Sequence, residues 1–164
     1  MWRILAILGG VSGGVALSQF PEFSQQYLQR LAGKVDALTA VAAQFDVTAQ
    51  NNGLTREAAL AAMTGSPVLE DQQADMRATL ARQATLAENL DTLRAASPLA
   101  RLMMPQRLGD IDTLTATYAD FRPAIPATTE GAITAGIGYA GGWGVIAFIG
   151  RMFSLMFRRQ RRTY

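Results

Sequence analysis

Residues 18–31 read SQFPEFSQQYLQRL. They stand between an apolar run that begins at the first residue, MWRILAILGGVSGGVAL, and a long polar middle. Whether the chain is cut here or leaves a bilayer here decides what kind of molecule it is. From Ile4 to Leu17 only Ser12 is neither apolar nor glycine. With its flanks, Trp2 to Phe20, the segment makes about 28 Å of helix at 1.5 Å per residue, close to the shortest length that crosses a hydrocarbon core. Trp2 and Phe20 then stand at the two interfaces. A cleaved signal is the competing reading, with Met1-Trp2-Arg3 as a basic start and Ala16-Leu17-Ser18 as a small-residue cleavage site. The retained anchor is preferred because a second apolar segment already commits the chain to a membrane.

That second segment is Gly131 to Gly150, uncharged throughout and followed at once by Arg151. Its length matches a bilayer span. Beyond it, Met152, Phe153, Leu155, Met156 and Phe157 extend the apolar character into the interface, with Arg151 snorkelling. Arg3 precedes the first segment, and Arg151, Arg158, Arg159, Arg161 and Arg162 accompany the end of the second. Residues 20–128 carry nine Lys/Arg against twelve Asp/Glu. The positive-inside rule therefore puts both termini in the cytoplasm and the acidic middle across the membrane. The pI near 9.4 belongs largely to the tail. A short basic cluster beside an apolar span points to anionic lipid and not to nucleic acid.

The middle reads as helix, with no period-2 alternation. Leu28, Leu31, Val35, Leu38, Ala42, Phe45 and Ala49 alternate spacings of three and four, an a/d pattern over three heptads. Asn51-Asn52-Gly53 ends that helix. Thr55 opens a short one that closes at Gly65, and Ser66-Pro67 forms the N-cap and first turn of a second long helix ending near Ser97-Pro98. A last helix, Asp110 to Phe121, carries Ile111, Leu114, Tyr118 and Phe121 on one face. Pro123 and Pro126 then make an extended linker, and Thr128 or Thr129 caps the second span. The fold class is all-α: two transmembrane helices flanking an extracytoplasmic antiparallel helical hairpin or bundle. The divisions are 1–20, 21–127, 128–157 with its interfacial extension, and a basic tail 158–164. The heptads fit an internal hairpin better than an intermolecular coiled coil, since the chain supplies its own partner helix.

Hydrophobic residues make up 49% of the 164 residues and charged ones 17%. The chain has no cysteine and no histidine. That removes thiolate chemistry, the commonest general base and the commonest transition-metal ligands. The carboxylate pairs Asp71/Asp75, Glu88/Asp91 and Asp110/Asp112 sit among arginines and read as solvated faces, so no catalytic residue, metal site or cofactor is assigned. The strongest local signal is small residues at four-residue spacing: Gly9/Gly13 and Gly10/Gly14 in the first span, Gly138/Gly142 and Gly136/Ala140/Gly144 in the second. Such spacing lets helix backbones approach in lipid, although glycine is also common in membrane helices generally. The simplest partner is the other span, then a second copy.

The blocks LSQFPEFSQQYLQRLAGKVDAL, FDVTAQNNGLTREAALAAMTGS and FRPAIPATTEG, the last before a Gly/Ala-rich span, resemble a bacterial family of small inner-membrane proteins catalogued as a domain of unknown function. The resemblance covers nearly the whole chain. It implies a proteobacterial inner-membrane protein and brings no catalytic residues. Three functions remain in view: a non-enzymatic scaffold or accessory subunit with a membrane-protein partner, a holin-like or small-channel homo-oligomer, and, least favoured, an enzyme.

Overall fold

The computed structural model describes residues 2–123 and 128–160, with side chains to 154. Among them are seven α-helices, one 3₁₀ turn and no strand. The helices are α1 (Trp2–Ser18), α2 (Phe20–Asn51), α3 (Arg56–Ala62), α4 (Pro67–Ala95), α5 (Pro98–Leu102), α6 (Ile111–Asp120) and α7 (Thr129–Gln160). The 3₁₀ turn, Pro105–Leu108, lies between α5 and α6. The chain is thus all-α, and two helices, at its two ends, are long and apolar enough to cross a membrane.

Pro21 accounts for the break between α1 and α2. It has no N–H to donate to Leu17, and its ring crowds that carbonyl. The chain turns at Gln19, whose N–H reaches Ala16 O at 3.3 Å, and helix resumes with Phe23 N–H on Gln19 O at 2.9 Å.

The contacts divide the chain into two compact units. The first holds residues 1–25, 98–103 and 120–164: α1, the start of α2, α5 and α7. In it Phe23 meets Phe121 edge-on, with ring centroids 5.6 Å apart. α5 packs on α7. Its Arg101 is buried and donates from Nη1 to Gln25 Oε1 at 3.4 Å. Burial holds this guanidinium below its ordinary pKa. Thr128 caps α7, its Oγ1 accepting from Gly131 N at 3.1 Å. The linker expected around Pro123 and Pro126 falls partly on 124–127, outside the described residues.

The second unit holds residues 26–97 and 104–119. Its core is Leu28, Leu31, Val35, Ala42 and Ala49 of α2, Leu60 of α3, and Leu86, Leu90 and Leu93 of α4, all buried. α2 and α4 face each other through long side chains, Gln83 Nε2 donating to Thr39 Oγ1 at 3.0 Å, and their backbones stay farther apart than those of α1 and α7. Gly53 at φ +70° ends α2. Leu54 N–H bonds Ala49 O and Gly53 N–H bonds Gln50 O, both at 2.9 Å, the paired closure that needs a left-handed residue. Thr55 and Ser66 cap α3 and α4. α3 is held to α2 by the two-pronged Arg56–Asp46 pair and to α4 by Arg77–Glu57 at 2.9 Å.

The apolar face of α6 is turned outward. On α6 the apolar Ile111, Leu114 and Tyr118 are exposed, and Thr113 and Thr117 are buried. The reason lies at the helix start, where Asp110 is fixed by charged neighbours and sets the rotation of everything that follows.

Candidate functional site: the glycine contact between the terminal helices

α1 and α7 run antiparallel, and their backbones touch. Helical phase puts Ala6, Gly10, Gly14 and Ser18 on one stripe of α1, and these are its buried residues. Beside that stripe Gly9 and Gly13 face Gly142 and Gly138. The space a Cβ would fill on Gly142 holds Gly9 O, and the space on Gly138 holds Gly13 O. A Cβ on Gly13 would meet Gly138 O in turn. Such reciprocal placement aims each Cα–H at the other helix's carbonyl oxygen, a weak hydrogen bond that recurs where helices cross closely. The seam continues at both ends. A Cβ on Gly10 would come within 2.8 Å of the Tyr139 ring, and one on Gly14 within 3.0 Å of Ala135 O. Toward the chain termini, Trp2 lies over Gly150 and stacks on Phe153, ring centroids 5.9 Å apart.

The small residues singled out in the sequence therefore part into two groups. Gly9, Gly10, Gly13, Gly14, Gly138 and Gly142 lie in the contact. Gly136, Ala140 and Gly144 do not: apart from the helix's own adjacent backbone, no atom lies within 4 Å of a Cβ built on Gly136 or Gly144, and Ala140 is exposed. Two residues along a helix turn through about 200°, so the 136/140/144 series points away from whatever the 138/142 series touches. The sequence reading missed Tyr139, Ala135, Ile146 and the Trp2–Gly150 contact. Trp2 was legible as an aromatic at a span end, but nothing marked Gly150 as its seat.

The buried hydroxyls of this unit are satisfied within their own helices, unlike Arg101. Thr134 Oγ1 donates to Glu130 O and Gly131 O at 3.0 Å, Ser18 Oγ to Val15 O at 2.7 Å and Ser24 Oγ to Pro21 O at 2.9 Å. Of the arginines assigned to topology, Arg3 and Arg151 both line a cleft at the Trp2 end of the pair. Arg158 and Arg159 are in the last turns of α7, where side chains are not described, and Arg161 and Arg162 lie outside the described residues.

A second cluster forms in the other unit. The Asp110 side chain is only 7% exposed, so it is not a solvated-face carboxylate. Its Oδ2 accepts from Lys34 Nζ at 2.7 Å and its Oδ1 from Arg82 at 2.8 Å. Oδ2 also caps α6, accepting from Thr113 N at 3.2 Å and from Thr113 Oγ1. The Asp110 N–H donates to Tyr27 Oη at 3.4 Å, and burial pushes the Tyr27 hydroxyl pKa up. Burial acts on Asp110 in the direction that raises its pKa, but the bonds from Lys34, Thr113 and Arg82 prevail and hold it well below the usual carboxylate range. Asp112 stays exposed while sharing Arg82 and Lys34. Every strong partner here stabilises a fixed negative charge, so the cluster locks α2, α4 and α6 together and is poorly suited to proton transfer. Among the described residues no group of three or more metal-ligating side chains converges.

These features define an all-helical protein whose two terminal helices, each long and apolar enough to span a bilayer, are joined by glycine contacts. The chain belongs to the family described as Protein of unknown function (DUF2937), which matches residues 1–159. No curated protein and no solved structure matches it.

Proposed function

We propose that this protein is a non-enzymatic scaffold or accessory subunit of the bacterial inner membrane, with α1 and α7 as spans, both termini cytoplasmic and the α2–α6 region periplasmic. The observation that carries the membrane part is the outer surface of the α1–α7 pair. Ile4, Leu5, Ile7, Leu8, Val11 and Val15 of α1 are exposed, as are Ile133, Ile137, Val145 and Phe148 of α7. A soluble protein rarely leaves so much contiguous apolar surface bare. In lipid the same surface costs nothing, and association falls to close packing at small residues, as at Gly9, Gly13, Gly138 and Gly142. An antiparallel pair leaves both ends on one side, which agrees with arginine at both.

The scaffold part is supported by α6, where Ile111, Leu114 and Tyr118 stay exposed on a helix whose rotation the Asp110 cluster fixes. A partner subunit would cover that face. One observation favours self-association as a second reading: the small-residue face Gly136, Ala140 and Gly144 of α7 is left uncovered.

Two measurements test the proposal. An alkaline phosphatase fused after Tyr164 should be inactive and one inserted between Asn51 and Asn52 active; the reverse pattern overturns the topology. In mild detergent the intact protein should run as a hetero-assembly that Tyr118→Asp disrupts. A pure homo-oligomer that makes vesicles leaky, and that Ala140→Ile breaks, would replace the scaffold with the pore.

A further inference from the structure

We propose that the cleft between the start of α1 and the end of α7 binds one anionic phospholipid, its phosphate held by Arg3 and Arg151 and an acyl chain laid along Trp143, Ala147 and Phe148. The inference rests on the membrane reading above and adds a ligand to it. The cleft has a volume of about 490 Å³, within the range of small-molecule sites. Its two sides come from different helices. α1 supplies Trp2, Arg3 and Ala6, and α7 supplies the stripe Trp143, Ala147 and Arg151, spaced by four. Ala6 and Ala147 are small enough to leave the space open.

The polar and apolar ends are separated as a lipid requires. The two guanidiniums lie toward the chain termini, and no acidic residue lines the cleft. Among the described residues neither Arg3 nor Arg151 has an ion-pair partner. Ser154 Oγ donates its proton to Arg151 O at 2.9 Å, so the arginines are the charged donors of the cleft, beside the indole N–H groups of Trp2 and Trp143. A guanidinium presents a planar fork that fits phosphate oxygens. Away from the arginines the wall is Trp143 and Phe148, 47% and 68% exposed, a surface for an acyl chain. Trp2 is pinned over Gly150 and against Phe153, which fixes where α1 begins and therefore where Arg3 stands.

A second copy of the chain is the weaker occupant. Copies in one membrane share an orientation, so the same depth would bring arginine to arginine. Glu130, the one acidic residue of α7, is at the opposite end of the helix pair. The anion at the depth of Arg3 and Arg151 is the lipid headgroup.

The test uses the full chain in detergent, read by native mass spectrometry against dioleoyl-phosphatidylglycerol and dioleoyl-phosphatidylcholine, with inorganic phosphate as a third probe. One phosphatidylglycerol should be retained per chain in preference to phosphatidylcholine. The double variant Arg3→Gln/Arg151→Gln should lose about thirty-fold in that affinity, since each basic side chain near an anionic headgroup contributes about 1 kcal/mol. Phe148→Ala should weaken retention while leaving the preference for the anion. A thiol crosslink between cysteines at Gly14 and Tyr139, whose Cβ atoms would stand 3.5 Å apart in the seam away from the cleft, reports whether the double variant still pairs α1 with α7. Loss of that pairing would shift the test to Arg151→Gln alone. Three results overturn the inference: several lipids bound without saturation at one, equal affinity in the arginine variants, or displacement of the lipid by millimolar inorganic phosphate. A protein released from membranes by carbonate washing would instead sink the membrane reading on which the inference stands.

Discussion

Asp110 shows how much one side chain can settle. It caps α6 and takes charged hydrogen bonds from α2 and α4 at once. Its folded pKa is depressed, so its stabilisation is complete above the unfolded value of about 4 and fades as pH falls below that toward the lower folded value. Asp110→Asn should cost about 1–3 kcal/mol at pH 7, at the lower end for a buried charge because Lys34 and Arg82 stay partly hydrated. The melting difference between parent and variant should shrink as pH is lowered from about 4. A difference that is the same at pH 7 and pH 3 would mean the carboxylate's charge is irrelevant. Two glycines give a paired check of opposite sign. Gly53, at φ +70°, should lose about 1–2 kcal/mol on change to Ala. Gly33, inside α2 with open space where a Cβ would stand, should gain about 0.5–1 kcal/mol from the same change. Thermal melts of the two variants against the parent decide both.

At the scale of elements the glycine contact makes the sharpest demand. On Gly138 or Gly142 even a methyl group would run into main-chain atoms of α1. Isoleucine at either site should cost about 1–3 kcal/mol of pairing, on the scale of overpacked cores. A bismaleimide bridge between cysteines placed at Ala6 and Ala147, which line one cleft, measures this cleanly in a chain with no natural cysteine. It should form in the parent and in Gly136→Ile, and fail in Gly142→Ile. Equal bridging in all three would reduce the glycines to composition. The same helices show what the sequence could and could not disclose. The break at Pro21, the caps Thr55, Ser66 and Thr128, and the buried a/d positions of α2 follow from local chemistry, and local chemistry is written in adjacent residues. Which of two small-residue series faces the partner depends on helix rotation, and both series carry the same spacing. Which way the α6 face turns was hidden for a related reason. Its apolar pattern was sound, but a long-range ion cluster at Asp110 outvoted it, and the partners Lys34 and Arg82 are far away in sequence.

For the molecule as a whole, the two compact units make an expectation about independence. α2 passes from one to the other, but the interactions that hold each unit belong to different physics. The first depends on backbone contact between α1 and α7 at glycines. The second depends on leucines of α2, α3 and α4 and on the Asp110 ion cluster. Variants aimed at one unit should therefore leave the other intact. Gly142→Ile should abolish the Ala6–Ala147 bridge while amide hydrogens around Leu31, Leu86 and Leu90 keep their protection from exchange. Asp110→Asn should do the reverse, lowering protection in α2, α4 and α6 by about ten- to a hundred-fold, the equivalent of about 1–3 kcal/mol, with the bridge unchanged. The crossed pattern is the informative result, because each variant serves as the control for the other. If Gly142→Ile also loosens the leucine core, the break at Gln19 transmits strain and α1 and α2 behave as one rigid helix. In that case the terminal pair would report directly on the state of the α2–α6 region, and a partner bound there would be felt at the cleft beside Arg3.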